Sequence, residues 1–248
     1  MRLSPYSLDR AMAFVVVAIV FALGLSPVVE AGRNFVETSS DHLTVDSAGV
    51  LGAAPMTIMV HASPTDLDSA TMFWVGDKDS NQEFFYLGHG GQVQWGMLSV
   101  AGGNDQALTA SVVSTSLWEV FVGLETSATD HQAHYAGHSG SDANPNTPLN
   151  ADRMSIGRRA DTTDSHYSDD NIGTVAAWPV ALTTGEIAAV QCGAWPPHVR
   201  PESLGHMWPL DGGTIAQDVI GAANMTVTGT TVVGVKPIGP RPGQQAGQ

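Results

Sequence analysis

Four carboxylates and one carboxamide crowd one short run of this chain. Asp161, Asp164, Asp169, Asp170 and Asn171 all fall within DTTDSHYSDDN. Hard oxygen ligands at this density suit calcium, with Asp164, Asp169 and Asp170 as the expected metal ligands. The same residues also make an ordinary polar turn. Asp41, in SSDHL, is a further candidate ligand. Aromatic faces stack on sugar rings while Asp and Asn bond the hydroxyls. Trp95, which alternates with Gln92 and Gln94, and Tyr167 in the acidic run are therefore the candidate platforms, with Asn171 as a ligand-binding partner. Trp74, Trp118, Trp178 and Trp208 are expected to be buried.

Other constellations fit their chemistry less well. DKDSNQEFFYLG (77–88) sets Asp77, Asp79 and Asn81 at alternate positions, as a calcium loop does. The helix-loop-helix calcium site needs Gly sixth and Glu twelfth, where this chain has Gln82 and Gly88, so a solvated hairpin is the expectation. In HQAHYAGH, His131 and His134 would point to opposite faces of a strand, whereas His134 and His138 share one. The Glu of an H-E-x-x-H zinc helix is missing, and a strand running into a hairpin fits better than zinc. No G-x-S-x-G elbow, phosphate loop or dinucleotide fingerprint is present.

The elements that must hold these residues are short and alternate with polar turns. Candidate strands are 42–45, 56–62, 71–76, 83–88, 92–97, 108–113, 118–124, 131–136, 154–157, 172–180, 205–210 and 225–233. Spacing of about 8–15 residues, with Gly, Asn and Asp between, predicts a β-sandwich or jelly roll. Gly90 and Gly91 suit a tight hairpin. In WEVFVGL, Trp118, Val120, Val122 and Leu124 share one face and should be core. Phe121 projects to the other, which is either covered or a ligand platform. One segment reads as helix: TTGEIAAVQCG offers Thr183 as N-cap, Glu186 for a capping box, Ile187 and Val190 as an apolar face, and Gly193 as a stop.

This strand-plus-helix closure, IGTVAAWPVALTTGEI, resembles the end of the laminin G-like (concanavalin A-like lectin/glucanase) jelly roll. In that family a strand with G-x-[IV] leads into A-L-[ST]-x-x-E-I. RNFVETSSDHLTV resembles its opening strand, LWEVFVGL its W-x-x-V-A strand, HYAGHSG its YVNG hairpin and MSIGRR its strand ending in IG. APMTIMVHASP resembles the strand that ends in W-x-[KR]-P, with His61 and Ala62 in place of the Trp and its neighbour. The resemblance covers roughly residues 33–192 and implies an all-β fold of two antiparallel sheets with one short helix near 183–192. Glucanases of this fold carry acids at i, i+2 and i+4 of one strand, so that two carboxyls reach one glycosidic oxygen. None of the seven glutamates here has that neighbourhood. Asp66 with Asp68, and Asp77 with Asp79, are two apart but in loops. No catalytic residue is therefore assigned.

Composition bounds the rest. The 248 residues carry 24 acids against 10 bases, a formal net charge of −14. Such a surface repels nucleic acid and anionic membranes. The lone Cys192 excludes an internal disulfide and any zinc site built on several cysteines. Residues 1–31 read as an export signal: Arg2 and Arg10 precede the apolar run 11–25, with Val29 and Ala31 at a cleavage site before Gly32. A retained anchor or a buried segment of an assembly are the alternatives, and membrane contact follows only if the segment is kept. Residues 32–235 are expected to be the jelly roll and 236–248 a Pro/Gly/Gln-rich tail. The expectation is a secreted or cell-surface recognition module for a glycan or extracellular protein, with Ca²⁺ as its one candidate cofactor. The rivals are a structural protein, such as a virion decoration, that self-assembles through this fold, and a hydrolase with acids from distant loops.

Overall fold

Period-2 apolar patterning and glycine-rich turns leave this chain little choice but strands. The computed structural model describes residues 31–49, 51, 53–81, 83–99, 103–145 and 150–234. The expected signal, apart from Ala31, and the tail lie outside the described residues. The strands are β1 (Ala31–Asn34), β2 (His42–Val45), β3 (Met56–Pro64), β4 (Ala70–Gly76), β5 (Phe84–His89), β6 (Gln92–Ser99), β7 (Gly103–Val112) and β8 (Glu119–Ser127). They continue as β9 (Asp130–Tyr135), β10 (His138–Asp142), β11 (Arg153–Ile156), β12 (Asp170–Trp178), β13 (His206–Pro209), β14 (Ile215–Ala216), β15 (Met225–Thr228) and β16 (Thr231–Gly234), with one α-helix among the described residues, α1 (Thr184–Gln191), and three short 3-10 turns.

They form two antiparallel sheets. The first runs β10-β9-β8-β3-β12-β1-β16, with β13 also paired to β12; the second runs β14-β15-β2-β11-β4-β5-β6-β7. Alternation along each strand sends one set of side chains between the sheets. Ile58 and Val60 from β3, Phe85 and Leu87 from β5, Trp95 and Met97 from β6, Phe121 from β8 and Val175 from β12 meet there. This is the jelly-roll sandwich expected from the sequence. On one side the sheets' edge strands touch: a Cβ on Gly140 of β10 would stand 1.6 Å from the Leu108 carbonyl oxygen of β7. On the far side β1 and β16 pair, with Ala31 opposite Gly234.

The first sheet has a second apolar layer. Phe121 enters the inter-sheet core, whereas Val120, Val122 and Leu124 face outward. They lie with Met59, Ala176 and Trp178 under Leu182, Ile187, Val190, Val199 and Leu204. Both faces of β8 are thus covered, and Phe121 is no platform. Burying side chains such as Ile187 or Leu182 is worth about 1.5–3 kcal/mol each. Thr183 caps α1 through the Glu186 amide, and the Glu186 carboxylate returns to the Thr183 N–H at 2.7 Å. Arg200 then grips Glu186 with two nitrogens, at 2.9 and 2.8 Å, so one carboxylate fastens both the cap and the following segment. The helix is a clip.

Candidate functional site

The outward face of the second sheet, across β4 to β7, is the other surface that strand alternation creates. Register places Trp74 opposite Tyr86, Tyr86 opposite Gly96, and Gly96 opposite Gln106, so one row crosses four strands. Gly96 is the gap in that row. A Cβ there would sit 2.1 Å from the Tyr86 ring, so only glycine lets the ring lie down across β6. The result is a trough of about 210 Å³ lined by Phe84, Tyr86, Gln94, Leu98, Gln106 and Arg159, with Ser69, Thr71 and His166 at its margin.

Its polar groups are ordered by one hydroxyl. The Tyr86 hydroxyl donates to Gln94 Oε1 at 3.3 Å and accepts from Gln106 Nε2. Burial pushes the phenol up to about 12, so it stays protonated over the whole physiological range. That chain fixes both amides. Gln94 is left with its NH₂ donor and Gln106 with its carbonyl acceptor, neither holding another hydrogen bond among the described residues. A fixed donor beside a fixed acceptor matches ligand hydroxyls, which do both.

The loop between β11 and β12 walls the trough at β4. Arg159 and Ser165 exchange backbone bonds at 2.9 and 3.1 Å, and the Thr71 N–H donates to the His166 carbonyl at 3.0 Å. The Arg159 guanidinium lies 4.2 Å from the Phe84 ring centroid, a cation–π contact, and is held there by Asp161 and by the Asn81 carbonyl. Asp164 and His166 both have left-handed backbone, φ 34° and 51°, a conformation that non-glycine residues hold only when their surroundings fix it.

The expected site residues land elsewhere. Trp95 is wholly buried and faces the core: it stacks on Phe85 at 5.9 Å and donates to Glu125 Oε2 at 3.2 Å. The correction is one of parity. Trp95 shares its face with Val93 and Met97, and it is Gln94 that faces outward. Tyr167 is half-buried beside His42 and the Arg158 guanidinium, 3.5 Å away, and is not in the trough. Asn171 accepts from Asn34 Nδ2 at 3.1 Å within the β1–β12 pair.

The expected calcium ligands are not brought together. Asp164 is ion-paired to Arg158, and Asp169 is half-buried. Asp170 is fully buried, with His89 Nε2 at 3.1 Å from both its oxygens and Ser168 donating to it. Asp41 closes its own turn by accepting from the Val36 N–H at 3.2 Å. Asp41, Asp164 and Asp170 each have a local cation or donor that takes the place of an ion. Among the described residues the one group of three metal-capable side chains is Asp77, Asp79 and Asp152, and Lys78 is bonded to Asp152 inside it. His131 is buried, 2.7 Å from Glu125 Oε2.

No family model and no curated protein matches the chain by sequence. Solved structures do match in three dimensions. One is a Bacteroides ovatus protein described as carbohydrate-binding, at TM-score 0.63 and 14% identity over 84% of this chain and 60% of that one. A heptameric SAP-like pentraxin from Limulus polyphemus matches at 0.57 and 13%, over 84% of this chain and 95% of that one. Domains LG4-5 of the mouse laminin α1 chain match at 0.50 and 15%, over 60% and 42%. The fold is that of the laminin G-like, concanavalin A-like jelly roll. This chain spans 60% of the length of the Bacteroides protein.

Proposed function

We propose that this chain is an exported, non-catalytic recognition module that binds glycans through the trough on β4–β7. The observation that carries the reading is the Gln94–Tyr86–Gln106 relay, a donor and an acceptor locked side by side over an aromatic floor. The fold it shares with a protein described as carbohydrate-binding supports it, and the pattern of residues 1–31 supports export. The trough lining holds no carboxylate, whereas glycosidases of the usual kind need two, which supports a binding role. A glycan array followed by titration calorimetry tests this. Binding is expected, and Gln106→Ala should weaken it by about 1 kcal/mol, roughly fivefold. Chelation of divalent ions should leave affinity unchanged, because the lining offers no carboxylate to hold one. Silence across the array overturns the reading.

A specific observation also favours self-assembly. Ile215, Val219, Ile220 and Val232 are each about half exposed, and they lie on or beside β14 and β16, the end strands of their sheets among the described residues. Light scattering on purified protein decides it: a monomer at high concentration removes the assembly reading.

A further inference from the structure

Among the described residues the trough is closed at one end and open at the other, and this bears on which part of a glycan it can take. Along the row that crosses the strands, exposure rises from β4 to β7. Trp74 is wholly buried although it faces outward, because it packs with Ala160 of the wall loop and with Phe84. Arg159 covers the Phe84 ring next to it. Tyr86 and Gln106 are half-buried. Past them, β7 is the last strand of its sheet, and its outward residues Leu108, Ala110 and Val112 are exposed. A ligand can therefore leave across β7 but cannot continue past β4.

Size agrees. About 210 Å³ is below the roughly 300–1,000 Å³ of pockets that enclose drug-sized ligands, room for one ring between the wall and the two amides. A groove for the interior of a polymer would have to be open at both ends, since the chain must enter and leave.

We propose, resting on the glycan reading above, that the trough is an end-on site: it takes the terminal sugar of a chain against the Arg159–Ala160 wall, and the remainder of the glycan exits over β7. The ligand class is thus oligosaccharide ends and branch tips. Arg159 is a specificity-determining residue that acts as the stop.

The test uses four series of size-fractionated oligosaccharides, cello-, xylo-, manno- and galacto-, each from disaccharide to octasaccharide, with the matching long polysaccharides. For a series that binds, affinity per molecule is expected to be flat with length, and protein bound per polymer chain to stay constant as the polymer lengthens. Arg159→Ala, checked for intact fold by circular dichroism, should make affinity rise severalfold from disaccharide to octasaccharide, because the stop has gone. Affinity or stoichiometry that climbs with length in the unaltered protein overturns the end-on inference and leaves the trough as a glycan site. A flat profile retained in Arg159→Ala overturns the role of the Arg159 side chain as the stop. Silence from all four series overturns the inference and counts against the trough as well.

Discussion

A single hydrogen atom in place of a side chain makes the trough. At Gly96 even a methyl group would meet the Tyr86 ring at 2.1 Å, and the ring would have to rotate out of the cross-strand row. Gly96→Ala is expected to abolish detectable glycan binding while costing about 1–3 kcal/mol of stability, the usual range for overpacking. Tyr86→Phe separates floor from relay. It keeps the ring and should lose only the ordering of the two amides, about 1 kcal/mol. Calorimetry on both variants checks the pair; equal losses would mean that the hydroxyl, not the gap, shapes the site. The cross-strand gap at Gly96 could not be read from QVQWGM alone, because it depends on Tyr86 of the neighbouring strand. The alternation of Trp95 with glutamines was visible, but which set faces out depends on whether the partner strands place Val93 and Met97 in the core. They do, and Trp95 follows them. The sequence signal that could have settled it was the parity Trp95 shares with two aliphatic residues.

Among elements, the strands were legible because apolar alternation is a local property, and the helix because its cap is spelled out within four residues. Thr183 and Glu186 form the expected capping box. Less visible were β10, whose HSGSD has no apolar alternation and owes its place to its pairing with β9, and the wall loop. That loop was noticed for its acids, yet it lines the trough through Arg159 and His166, while Asp164, Asp161 and Asp170 are tied to Arg158, Arg159 and His89. Local density of oxygen ligands says nothing about which cations of the same chain arrive first. Thr183→Ala should cost about 1 kcal/mol, read as a lower denaturation midpoint with unchanged slope. Glycan affinity should not move, since α1 covers the other sheet; a change in affinity would show coupling across the sandwich.

For the whole molecule, stability should depend on pH through buried histidine. Burial drives His61 down to about 4, and its Nδ1 has no hydrogen-bond partner among the described residues. The unfolded chain takes up a proton near pH 6.5 that the folded one refuses. The stabilisation is therefore complete above about pH 6.5 and is lost as pH falls toward 4, by up to roughly 3 kcal/mol. At Asp218, burial pushes upward, but His206 and the N–H groups of Met207, Gly221 and Ala223 outweigh it and hold the carboxyl well below its usual range. Its contribution is present above about pH 4 and fades only below that. His131, raised against burial by Glu125 and the Asn144 carbonyl, acts in the opposite sense and moderates the slope. Thermal midpoints of the unaltered protein are expected to drop between pH 7 and pH 5, and His61→Leu should flatten that drop. A variant with the same slope would assign the effect to other groups.

The pairing of Ala31 with Gly234 has a bearing on how such a domain can be mounted. Both connections leave from the β1–β16 flank, whereas the mouth of the trough opens over β7, on the flank where β7 meets β10. A tether, a neighbouring domain or a solid support joined at either connection stands at the flank away from β7, clear of the proposed trough. With the two connections side by side, the fold can be spliced into a host loop as a plug-in unit, the proposed glycan trough still turned toward the medium.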